Sequence, residues 1–132
     1  DIVGAMGEAR MEAIKRNAST HLCSNSATEN AGDGYNVPCA DSTGVVYMIM
    51  GNAYSLLRAA PTGLKSPLQL EGDMKALRFS AQGLAYATTS ATPYTGTVAD
   101  LCTSSMTNDN HRIISLTAGS IIDTQTTKGA CP

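Results

Sequence analysis

Helical periodicity occurs in one short segment of this chain, and the residues after it are patterned for strands. In "EARMEAIKRN", residues 8–17, Met11 and Ile14 recur at helical spacing, with Ala18 just beyond. Glu12 can reach Lys15 and Arg16 one turn on. Asn17 suits a left-handed stop, because Asn tolerates positive φ.

Beyond that helix the reading is β throughout. "STHLC" is a strand ending on Cys23, and the apolar run "GVVYMIM" reads as a buried central strand. "SNSATENAGDGYNVP" and "RAAPTGLKSP" have no periodicity and read as loops, with "LQLE" a short strand after them. In "KALRFSAQGLAYA", Leu77, Phe79 and Ala81 alternate, Gln82-Gly83 marks a turn, and Leu84 and Tyr86 alternate again, which is a hairpin. "TVADLC" gives another strand and "HRIISLTAGSIIDTQ" a second hairpin turning at Ala118-Gly119. One helix followed by about six to eight short strands, with no βαβ alternation, makes the class α+β: a helix packed on antiparallel sheet.

Length and charge narrow the function. The 132 residues make one domain. Charged residues are 15%, well under the usual quarter, which suits a turn-rich β domain. The net charge of -2 gives no general pull toward nucleic acid or an acidic membrane. No run approaches the roughly 18 apolar residues of a membrane helix. "GAMG" at 4–7 resembles the remnant of a protease-cleaved tag. Residues 1–7 are therefore set apart, with the domain expected over 8–132: the end of a helix at 8–17 and a β-rich part at 18–132.

Cys23, Cys39, Cys102 and Cys131 form an early and a late pair with no CxxC among them. An even count clustered this way favours two disulfides in an oxidising compartment over four reduced thiols. Three connectivities exist, and local pairing is the simplest. His21 and Cys23 share a strand face, but two donors do not make a zinc site, and no metal or cofactor is expected.

Catalytic candidates are weak. Asp109 and His111 in "NDNH" could pair as an orienter and a base, yet no serine sits in a nucleophile elbow. Glu71 and Asp73 flank a glycine turn, where acids occur for turn reasons alone. The chain is not expected to be an enzyme.

"ARMEAIKRN", the strand ending "LC", the polar loop and the second cysteine together resemble the opening of the soluble domain of GspH/FimT-type pilins. The later order fits too: an apolar strand, "LRFSAQG", a strand ending in Cys102, "RIISLTAGSI" and a closing cysteine at Cys131. The resemblance runs from about Glu8 to Cys131. It implies a type IV pilin-like head whose N-terminal helix is truncated, its missing apolar half lying in the inner membrane before assembly and in the filament afterwards. It implies a periplasmic head, then a place on the cell-surface pilus, with other minor pilins and the major pilin as partners. Glu12, Lys15 and Arg16 would meet those partners, while Met11 and Ile14 face the protein's own sheet.

The resemblance implies three candidate functions. One is a minor pilin of the FimU kind, which helps initiate pilus assembly at or near the tip. Another is the minor pseudopilin of type II secretion, GspH. A third is a DNA-binding minor pilin for natural transformation, whose Gly-Arg-x-Arg turn is here Gly119-Ser120-Ile121-Ile122. Without those cations to neutralise phosphates, DNA is the least favoured partner.

Overall fold

A computed structural model describes residues 2–26, 39, 43–50, 53–59, 68–87 and 90–131. The polar segment 27–38 and the connection 60–67, both read as loop from sequence, lie outside the described residues. Helix α1 spans Ile2–Arg16 and is followed by β1 (Ser19–Leu22), β2 (Val46–Met50), β3 (Ala53–Arg58), β4 (Leu68–Leu70), β5 (Leu77–Phe79), β6 (Ala85–Ala87), β7 (Gly96–Thr103), β8 (His111–Thr117) and β9 (Ile121–Thr127). The strands form two sheets, a five-stranded one in the order β3-β2-β1-β5-β6 and a four-stranded one in the order β4-β7-β8-β9. Every pairing between these strands is antiparallel.

The layout is the α+β arrangement expected, with two differences. The first is where the helix begins. It starts at Ile2, not Glu8, and Ile2, Ala5 and Met6 are buried in the main core. Residues 2–7 are helical and pack against the core. The second is β3, which the apolar pattern of 53–58 does not announce. As an edge strand it leaves Tyr54 and Leu56 on the surface. The apolar strand β2 lies between β3 and β1, with β1 at the centre of its sheet.

The helix buries Ile2, Ala5, Met6, Ala9 and Ala13. These recur at three- and four-residue intervals, so they line one face. Three of them are alanines, which lets the backbone approach the sheet closely. The approach is close enough for the Thr20 hydroxyl to donate to the Ala9 carbonyl at 2.8 Å. Phe79, Leu22, Leu77, Val46 and Met74 fill the space beneath, and Ile114 and Leu116 contribute from the second sheet. The helix stops as its sequence predicts. Asn17 takes φ 52°, its N–H reaches the Ile14 carbonyl, and the Ala18 N–H reaches back to Ala13. That pair of bonds is a Schellman cap.

The two predicted hairpins are present. β5 and β6 turn through Gly83, at φ 83°. β8 and β9 turn through Gly119 and Ser120, at φ 79° and 59°. Cys23 is bonded to Cys39 and Cys102 to Cys131, with Cα separations of 5.5 and 5.8 Å.

Candidate functional site

The outer face of α1 carries the residues expected to meet partners, and the structure redistributes them. Met11 is 60% and Ile14 50% exposed, so neither is buried against the sheet. The expectation that they would be is corrected by the packing. Ala9 and Ala13, which are smaller, occupy the inward positions, and the larger side chains fall on the opposite side. Met11 and Ile14 line an open groove of about 510 Å³ together with Gly7, Arg10 and Lys15. Ile14 also lies over the β5–β6 turn, where a Cβ on Gly83 would come within 2.8 Å of its Cδ1. The left-handed backbone is what calls for glycine there, since a Cβ would only push aside the end of the Ile14 side chain.

Of the three charged residues singled out, Glu12 and Arg16 pair with each other across one helical turn. The Arg16 guanidinium holds the Glu12 carboxyl below the usual range, chiefly through that hydrogen bond. Lys15 is exposed and borders the groove. Other helix charges work within the fold. Glu8 pairs with Arg58 on the edge strand at 2.7 Å, and Arg10 donates to the Ser120 carbonyl at 3.2 Å.

The β8–β9 turn bears on the DNA reading. Ser120, which stands where a cation would be needed, is 1% exposed, and its hydroxyl accepts the Ala85 N–H at 2.8 Å. That position docks the turn onto β6. Arg112 and Lys128 are exposed on the second sheet and the segment after it.

His111 does not pair with Asp109, its neighbour in sequence. Its Nδ1 lies 2.9 Å from Asp100 Oδ1 and 3.2 Å from Glu71 Oε2, and its Nε2 lies 2.8 Å from the Ala130 carbonyl. With acceptors at both nitrogens the imidazolium is favoured. Its pKa is raised above the ordinary value, first by the Asp100 hydrogen bond and then by that to Ala130. No local pattern marks this grouping, since its members come from β7, β8, the end of β4 and the C-terminal segment. His21, by contrast, lies near the sulfurs of Cys23 and Cys39, which are bonded to each other. No helix among the described residues is long and apolar enough to cross a membrane.

The arrangement is one of surfaces and crosslinks, with a buried helix face, an open helix face and two disulfides. The model of the family described as type II transport protein GspH matches residues 1–120. The chain belongs to the GspH family. It is thus a GspH/FimT-type, pilin-like protein. Comparison with curated proteins and with solved structures gave no match. Members of the family are minor pseudopilins or pilins of type II secretion or type IV pili and serve as structural subunits. Proteins of the GspH family associate with other pilins or pseudopilins in a filament, and they are envelope proteins that face the periplasm.

Proposed function

We propose that this GspH-family chain is a minor pilin of the type IV pilus, of the FimU kind, which helps initiate pilus assembly and sits at or near the tip. The observation that carries the reading is the open face of α1. Met11 and Ile14 stand exposed beside Arg10 and Lys15, on the element through which subunits of such filaments pack. Exposed apolar side chains rimmed by charge suit protein contact: the apolar pair supplies burial, and the charges set register. Glu12, Lys15 and Arg16 contribute to that contact, with Glu12 and Arg16 presented as a pair. The same face would serve in a type II secretion pseudopilin, the system that the family's description names. The buried Ser120 weighs against the DNA-binding alternative, because the turn that would carry cations is committed to the fold.

The test is complementation of a deletion strain with the full-length gene carrying Met11→Ser with Ile14→Ser, or Lys15→Glu with Arg16→Glu. Surface piliation and exoprotein secretion are scored side by side. Loss of piliation with a folded head supports the pilin reading, and loss of secretion alone moves the chain to the secretion system. Normal behaviour in both assays removes this face from the proposal. Twitching and transformation assays, with a low-salt gel shift, address the DNA alternative.

A further inference from the structure

We infer that the groove on α1 seats a helix of a different subunit, one that carries carboxylates on both sides of its own apolar stripe. This rests on the outer face of α1 being the subunit contact, and it adds the chemistry of the partner. The groove is laid out at helical spacing. Gly7, Met11 and Ile14 stand at i, i+4 and i+7, in a stripe about 60° wide, and Arg10 and Lys15 flank it on opposite sides. An apolar seam bordered by charge is the form in which one helix meets another: the seam packs, and the borders select the partner.

Gly7 leaves a hole in this seam. It is part of α1 and lies within residues 1–120 of the family match, and a Cβ there would meet nothing within 4 Å. Glycine inside a helix costs stability relative to alanine, and the head's own packing does not ask for it at this position. A partner side chain entering over the bare backbone gives it a use. The charges then decide what kind of helix fits. Arg10 donates to the Ser120 carbonyl, which carries no net charge, and neither Arg10 nor Lys15 makes an ion pair among the described residues. The acids of the helix are committed elsewhere, Glu8 to Arg58 and Glu12 to Arg16. Lys15 adds a through-space attraction to Glu12 that is weaker than the Arg16 bond. The seam therefore has a cation on each border and no free carboxylate. A second copy of the same seam would bring cations against cations. Complementarity calls instead for Glu or Asp beside the apolar residues of another chain.

The test uses two synthetic helical peptides of one design, with leucines on an i, i+4, i+7 stripe and either glutamates or lysines beside it. Each is titrated at low salt into the nitrogen-15-labelled, oxidised chain. The acidic peptide should shift the amide resonances of residues 7–15 and bind roughly tenfold more tightly than the basic one, a preference that added salt removes. Lys15→Glu should abolish most of that preference. Gly7→Leu fills the hole from this side, so it should leave the head at least as stable in thermal melts while weakening the acidic peptide at least roughly fivefold. No binding at millimolar peptide, equal affinity for the two peptides, or full affinity in Gly7→Leu would overturn the inference. Salt-sensitive self-association of the chain through residues 7–15 would do so too, by putting a second copy in the groove. Those results leave the pilin reading standing, whereas normal piliation and secretion with Met11→Ser and Ile14→Ser would remove the face on which both depend.

Discussion

The hydroxyl of Thr20 donates to the carbonyl of Ala9 at 2.8 Å, in a seam where both residues are fully buried. This bond joins the middle of α1 to the central strand and sets how close the helix lies. Thr20→Val keeps the shape and removes the donor, and should cost about 1 kcal/mol. Ala9→Leu forces the helix off the sheet and should cost about 1–3 kcal/mol. Urea unfolding of the head measures both. An Ala9→Leu head as stable as the parent would show that the seam is looser than described.

Met6 and Met11 are five residues apart on one helix and should respond oppositely to truncation. Met6 is fully buried, so Met6→Ala should cost about 2–5 kcal/mol. Met11 is mostly exposed, and Met11→Ala should change stability by no more than about 0.5 kcal/mol. Equal, small effects in thermal melts would mean that residues 2–7 add nothing to the fold.

Removing the second crosslink, with Cys102→Ala and Cys131→Ala together, frees a loop of 29 residues in sequence separation. The chain-entropy model puts the loss at about 3–4 kcal/mol. Hydrogen exchange should rise first in the segment after β9, where the Gly129 N–H donates to Asn110 Oδ1 and His111 Nε2 meets Ala130. Uniform loosening of both sheets would contradict the local role.

The His111 network gives a pH dependence. Its folded pKa is raised above the ordinary 6.5, so the native state holds the proton more tightly than the unfolded chain. The stabilisation is complete below about pH 6.5 and is lost as pH rises through the raised value. Melting temperature should fall over that alkaline-side window, and the fall should shrink in Asp100→Asn, which keeps only the Ala130 and Glu71 contributions. A parent and variant with the same profile would place the dependence elsewhere.

Much of this molecule is written in local patterns. Alternation around Gln82-Gly83 and Ala118-Gly119 gives the two hairpins, because period-two patterning and turn residues act within a few positions. Asn17 ends the helix for its own conformational reasons. Clustering of the cysteines points to the bridges, since short loops close most readily.

Other features depend on packing between distant segments. The stripe at Met11 and Ile14 has the right period for burial, but so does the stripe at Ala5, Ala9 and Ala13. Periodicity cannot choose between two such faces. The smaller residues are buried because only they allow the backbone contact at Thr20, and Met11 and Ile14 are left outside. His111 illustrates the same limit in electrostatics. Asp109, two residues before it, is the partner that sequence proximity suggests, yet Asp109 lies outside β8 with a left-handed φ of 52°. Strand register instead delivers Asp100 and Glu71, and the fold-back of the C-terminal segment delivers the Ala130 carbonyl. The helix stop, the hairpins and the class of fold are legible in the chain alone, because they depend on residues a few positions apart. Which helix face is open and which charges meet is settled in three dimensions, because those depend on the distances at which separate elements come to rest.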